Sequence, residues 1–182
     1  MQHKNGEHPF GDAGQVAACI LFIIIWSTDS FFLQSSRFLT ERIPLLPRLL
    51  IMGLLIIPAI WICGQSHKSM DRLRNMNRLI TNGVYRYIRH PLYLSCLMVY
   101  SGLAVSTLSA GALFVWIGIF LFYDYIASYE EKILSAKFGN AYRLYMNKTG
   151  KWLPRFIHPH NAADTESAAY RTFQGNRTQD HE

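Results

Sequence analysis

Hydrophobic positions along this chain are gathered into three long runs, with charged segments between and after them. The first run, 13–33, reads AGQVAACILFIIIWSTDSFFL and contains one charge, Asp29. The second, 45–64, reads LLPRLLIMGLLIIPAIWICG. Its Arg48 is close enough to the start to snorkel. Its Pro58 predicts a kink, which a packed membrane helix tolerates. The third run, 91–123, holds no charged residue in 33 positions. As one helix it would be about 50 Å long, against a hydrocarbon core of about 30 Å. STLSAG at 106–111 supplies small, turn-prone residues near the middle. The pattern therefore predicts a tight helical hairpin, about 89–106 and 110–129. That makes four transmembrane helices in an all-α, polytopic membrane protein.

Beyond 129 the pattern changes again. Leu134, Phe138, Ala141 and Tyr145 follow the spacing of one helical face, so an amphipathic helix is expected, weakened by Gly139. Trp152, Leu153 and Phe156, interleaved with Lys151 and Arg155, resemble an interfacial anchor. The chain divides into an N-terminal tail (1–12), two spans (13–64), a region holding the candidate chemistry (65–157) and a polar tail (158–182) expected to be disordered. The first residues mix charges of both signs, and no small-residue cleavage site follows the first run cleanly. A cleaved signal is not expected.

Composition sharpens the membrane reading. Of 182 residues half are hydrophobic and only 16% charged, well below the soluble average of about 25%. The net charge of +6 suits nucleic acid or an anionic membrane surface, and its distribution favours the membrane. Six Lys and Arg lie in 64–90 and eight from 130 onward, 14 of the 18 in all. With four spans these segments share a side, which the positive-inside rule places in the cytoplasm. The three cysteines, Cys19, Cys63 and Cys96, show no metal-type spacing and read as small core hydrophobes. No metal site and no nucleic-acid partner are expected.

Ionisable residues near membrane spans are candidates for function, because burying them is costly. GVYRYIRHPLYLS at 83–95 is the densest such cluster. Pro91 suits the first turn of a helix, which puts His90 near the N-cap, where free N–H groups favour a carboxylate or phosphate. Tyr93 lies in the same turn. The plainer reading is an interface belt, with Arg86 and Arg89 on lipid phosphates and the tyrosines among headgroups. Glu130 and Glu131 form a second candidate: recognition of a cation or hydroxyls, or a solvated pair on a helix that simply runs on. Asp124 and Asp29 read either as polar sites or as structural contacts. Hydrolase signatures and a glycine-rich phosphate loop are absent.

Taken together, RLITNGVYRYIRHPLYLS and EEKILSAKFGNAYRLYMNKTGKWLPRF, separated by a charge-free hairpin, resemble the isoprenylcysteine carboxyl methyltransferase family and the related phospholipid N-methyltransferases. The resemblance covers about residues 75–156. It implies an integral membrane methyltransferase (EC 2.1.1.-) that uses S-adenosyl-L-methionine on the cytoplasmic side. It implies that Asn77, Arg78, Leu79 and Ile80 line the cofactor, largely through backbone. Tyr85, His90, Pro91, Leu92 and Tyr93 would contact it, and Glu130 would bind it with Glu131 beside it. The acceptor would be lipidic or small and reach the site from the bilayer. Ile126 stands where prenylcysteine-specific members carry an arginine, which leaves the acceptor open. The alternative is an NADPH-dependent membrane reductase of the sterol reductase type, whose C-terminal part has a similar Arg-His-Pro-x-Tyr.

Overall fold

The computed structural model describes residues 11–33, 37–73 and 79–155. The described chain is helical and contains no strand: α1 is Gly11–Ser27, α2 Arg37–Arg42, α3 Leu45–Leu73, α4 Pro91–Thr107, α5 Ala110–Phe138 and α6 Asn140–Lys148. A π-helical stretch, Thr28–Leu33, prolongs α1, and a 3-10 turn, Gly83–Arg86, precedes α4. Apart from Gly11 and Asp12, which begin α1, the predicted tails lie outside the described residues, as do Asn77 and Arg78.

Three of these helical segments are long and apolar enough to cross a membrane: Ala13–Leu33, Leu45–Met70 and Ala110–Phe138. The fourth expected span, α4, is apolar but only 17 residues long. At 1.5 Å per residue it covers about 25 Å, short of a full hydrocarbon core. Three helices thus have the full length of a span, and α4 is a shorter apolar helix beside them. Bilayer-facing surface is plain on α3, where Leu46, Leu50, Leu54, Ile57 and Trp61 are all more than 60% exposed. On a soluble surface that stripe would drive aggregation; in lipid it needs no cover.

The hairpin forms as its sequence predicts. Leu108 takes a left-handed conformation (φ 53°), and Ser109 then caps α5 by accepting from the Ala112 N–H at 3.0 Å. Asp29 completes this cap: it accepts from the Gly111 N–H at 3.0 Å and from the Ser109 hydroxyl. A carboxylate at a helix N-terminus satisfies orphan N–H groups and opposes the dipole. Asp29 is therefore a structural contact, buried because it ties the end of α1 to the start of α5.

Close helix approach rests on small residues, the usual device inside a membrane. A Cβ on Gly102 would lie 3.0 Å from Ile56 Cγ1 and 3.4 Å from the Met52 carbonyl, so α4 sits tightly on α3. The core holds Phe22 of α1, Tyr93, Leu97, Tyr100 and Ala104 of α4, and Ala112, Ile119, Tyr123, Ile126 and Ala127 of α5. Two indoles stitch it. Trp26 donates to the Leu103 carbonyl at 3.0 Å and the Thr107 hydroxyl at 3.1 Å; Trp116 donates to the Leu97 carbonyl at 3.1 Å. Of the cysteines, Cys63 and Cys96 are half-buried and Cys19 faces outward, so Cys19 is no core residue.

After the hairpin, α5 does not stop near 129 but continues to Phe138. Gly139 (φ 56°) then breaks the helix, and α6 restarts with a new phase. The expected apolar face is corrected accordingly. Tyr142 is the fully buried residue of α6, whereas Ala141 is exposed, because the glycine break resets the periodicity.

Replacing Asp29 by alanine should cost about 1–2 kcal/mol through loss of the α5 cap. For a chain of this size that lowers the melting temperature by roughly 2–8 °C. Circular dichroism of the protein in detergent would measure it, and an unchanged midpoint would remove Asp29 from the cap.

Candidate functional site

Hairpin length fixes which ends meet. α4 climbs about 25 Å from Pro91, and α5 descends about 30 Å from Ala110 before reaching Glu130. The start of α4 and the middle of α5 therefore arrive at the same level, and the two polar blocks of the sequence face each other there.

Their contacts are direct. Arg89 donates through Nε to Glu131 Oε1 at 2.8 Å. His90 Nε2 lies 3.0 Å from the same oxygen, and its Nδ1 lies 3.7 Å from Glu130 Oε2. A carboxylate only accepts, so the hydrogen bond places a proton on Nε2. Tyr93 donates its hydroxyl to Glu130 Oε1 at 2.6 Å. The pair is far from solvated: the Glu130 and Glu131 side chains are 19% and 17% exposed, and that of Arg89 13%. The helix does run on past the glutamates, as one reading of the sequence allowed, but its carboxylates are committed to partners.

Pro91 occupies the first turn of α4 and His90 the N-cap, as expected. His90 makes no capping hydrogen bond; its ring is turned to the glutamates instead. Among the described residues no N-cap side chain bonds the N–H groups of the first turn, a condition that suits an anion-accepting helix end. Leu92 is half-buried in that turn, and Leu79 and Ile80 are half-buried in the stretch leading into it. Tyr85 lies in the 3-10 turn, where its carbonyl accepts from the Tyr145 hydroxyl at 2.7 Å. Burial pushes the Tyr145 phenol up to about 12, so it stays a donor at physiological pH. Burial likewise raises Tyr85 and Tyr142. Gly83 starts the turn at φ 63°, and a Cβ there would lie 2.9 Å from Ser69 Oγ. A side chain at that position would be strained by the backbone and would have to displace the Ser69 hydroxyl.

A strap made by residues 149–155 closes the cluster. Ile88 and Gly150 form an isolated parallel bridge, with Arg89 N–H donating to Gly150 O at 2.9 Å and Gly150 N–H to Tyr87 O at 3.3 Å. Arg89 Nη1 adds bonds to the Met146 and Thr149 carbonyls at 3.1 and 2.6 Å. Lys151 donates to both the carboxylate and the carbonyl of Asp124 and to Ser128 Oγ; the Trp152 indole donates to Asp124 Oδ1 at 3.0 Å. Trp152 then packs between His90 (centroids 6.1 Å) and Phe120 (5.6 Å). Trp152 is thus part of the core edge rather than only an interfacial anchor. Asp124, like Asp29, is held in structural contacts.

The sequence-based reading brought His90, Pro91, Tyr93, Glu130 and Glu131 together correctly as neighbours. It misplaced Arg89, assigned to lipid phosphates; the side chain turns inward because Glu131 and two carbonyls offer it partners. Arg86 stays exposed. The strap was missed, since a bridge between Ile88 and Gly150 leaves no local periodicity. The adjacency of Arg89 to His90, with two acids in the other block, was the available signal for the ion pair.

Comparison with known families agrees with this architecture. Residues 48–141 match the phospholipid methyltransferase family, just over half of the chain and nearly all of α3 through α5. No individual curated protein matches the chain significantly. The matched segment contains the hairpin and all five members of the polar cluster. The chain therefore belongs to the phospholipid methyltransferase family, and it is an integral membrane methyltransferase.

Proposed function

We propose that the methyl donor is S-adenosyl-L-methionine, held against Arg89, His90, Tyr93, Glu130 and Glu131, and that a lipidic or small acceptor reaches the same end of the hairpin from the bilayer. One observation carries the reading: among the described residues, two largely buried carboxylates are gathered beside a guanidinium, an imidazole and a phenol at the start of α4. Paired carboxylates at the edge of a membrane bundle favour a cation or hydroxyl donors beside them. The cofactor's ammonium and sulfonium supply the first, and its ribose hydroxyls the second. Its own carboxylate suits the uncapped start of α4.

When bound, the cofactor supplies a methyl group on a positively charged sulfur. The chain's residues then have three tasks. Glu130 and Glu131 hold the cation, each oriented by a partner: Tyr93 for the first, Arg89 and His90 for the second. Trp152 and Phe120 pack against the His90 side of the cluster and limit the water that can reach it. The hairpin and strap fix the distance between donor and acceptor, which supplies much of the acceleration for a displacement of this type. Leu79, Ile80, Tyr85 and Leu92 complete the contact surface in this reading, with Asn77 and Arg78 continuing it. Orientation toward the cytoplasm follows from the Lys and Arg excess in 64–90 and after 130.

The acceptor reading stays at a lipidic or small membrane-accessible molecule. Ile126 is 1% exposed and packed into the core. An acceptor carboxylate would find no cation at that position, which argues against a prenylcysteine. No observation favours the reductase alternative.

S-adenosylhomocysteine, the product form of the cofactor, should stabilise the detergent-purified protein. At 100 times its Kd the gain is about 2.7 kcal/mol, or roughly 5–10 °C in melting temperature. Glu130→Gln should weaken this binding about tenfold or more while the protein still melts cooperatively. Stabilisation by NADPH but not by S-adenosylhomocysteine would overturn the reading.

Gly150→Ala tests the strap. The added Cβ would land on the Leu153 carbonyl oxygen, a backbone atom with little freedom to yield. The strap should shift and Trp152 leave His90, with loss of S-adenosylhomocysteine binding and little change in helix content. Isothermal titration and circular dichroism on one sample separate the two effects; wild-type affinity would show that the strap is dispensable.

A further inference from the structure

Beside the carboxylate cluster, on the far side of Arg89, an open cleft of about 540 Å³ lies between the C-terminal end of α6 and the strap. Arg89, Lys151 and Arg155 are among its lining residues, and no acidic residue is among the described ones. Counting donors shows which of the three cations are available. The Lys151 ammonium has three N–H donors, and three acceptors take them: Asp124 Oδ1, Asp124 O and Ser128 Oγ. Lys151 contributes potential and no further bond.

The two arginines differ. A guanidinium carries five N–H donors. Arg89 uses Nε on Glu131 and Nη1 on two carbonyls. Arg155 uses only Nη1, on the Met146 and Asn147 carbonyls at 3.5 and 3.2 Å. Among the described residues, Nη2 of Arg89 and both Nε and Nη2 of Arg155 donate to nothing, and Arg155 faces no carboxylate. Both guanidiniums share the Met146 carbonyl, at 3.1 and 3.5 Å, so their heads are neighbours. One tetrahedral oxyanion spans such a gap, with charge-assisted N–H···O bonds of about 2.8 Å to each side. Capping the α6 carbonyls takes Nη1 of each arginine and Glu131 takes Nε of Arg89, which leaves Nη2 of Arg89 and Nε and Nη2 of Arg155 for a ligand.

We propose that this cleft is a phosphate-binding site with Arg89 and Arg155 as its direct ligands. The ligand chemistry is a phosphate oxyanion, carried either by a lipid headgroup or by free phosphate. Leu153, 74% exposed on the cleft lining, and the interleaved Lys151, Trp152 and Arg155 give the strap the character of a membrane interface. A lipid phosphate would sit there with its chains in the bilayer. The site shares Arg89 with the carboxylate cluster; Arg155 makes no contact with that cluster among the described residues and so tests this site apart from the cofactor reading.

The test uses the full chain in neutral detergent with three probes: dioctanoylphosphatidylglycerol, dioctanoylglycerol without phosphate, and inorganic phosphate against chloride at equal ionic strength. Binding is followed by titration and by melting temperature. Arg155→Gln should weaken the phosphate probe that binds by about tenfold. Arg155→Lys should recover only part of it, because lysine keeps the charge and loses the planar fork. Affinity of both variants for S-adenosylhomocysteine should change far less than their affinity for phosphate, because the Gly150 bridge and the Lys151 and Trp152 bonds still hold the strap; that separates failure of this site from failure of the cofactor site. Arg155-dependent binding of the phosphatidylglycerol alone identifies a lipid headgroup; Arg155-dependent binding of inorganic phosphate identifies a free anion. The proposal is overturned if neither phosphate probe exceeds its control, or if both variants bind as tightly as the unaltered protein.

Discussion

Two adjacent glutamates at the mouth of a membrane helix cannot stay charged without compensation. Glu130 and Glu131 are more than four-fifths buried, and the pair is held by Arg89, His90 and Tyr93 from 37 to 42 residues earlier in the chain. Removing one partner of such a buried set strands the other, at a cost of about 3–5 kcal/mol. The hairpin, the α4 N-terminus and the strap are all arranged so that this compensation is geometrically available.

The hairpin turn is the first of these. Leu108 and Ser109 reverse the chain in two residues, and Asp29 braces the new helix from α1. A longer connection would let the two arms slide, and one helical turn of slip moves Glu131 by about 5 Å. The strap is the second device. It binds α6 and the segment before α4 through one backbone bridge, and α5 through Lys151 and Trp152. Arg89 belongs to both devices: its backbone joins the bridge and its side chain joins the ion pair.

That double role ties the two sides of Arg89 together. One side is a pair of carboxylates; the other is a cleft lined by Arg89, Lys151 and Arg155. Opposite local charge a few ångströms apart, at the edge of an apolar bundle, suits molecules that carry both signs. The bilayer is the natural source of such molecules, and the exposed apolar stripe of α3 places the bundle in it.

Much of this was legible in the sequence. Charge-free length defined the spans and hairpin, since a hydrophobic run longer than the bilayer must turn. Pro91 marked the start of α4, and the two polar blocks marked the cluster. What the sequence could not decide was which cation serves which anion. Arg86 and Arg89 look alike in a string, and only three-dimensional placement turns Arg89 toward Glu131 while Arg86 stays exposed. The pairing of Asp124 with Lys151, the bridge at Gly150 and the phase reset at Gly139 were equally hidden. Spans follow from local hydrophobicity, a property of each segment alone. Partnership among buried charges is a property of distances between segments, and it exists only once the helices have packed.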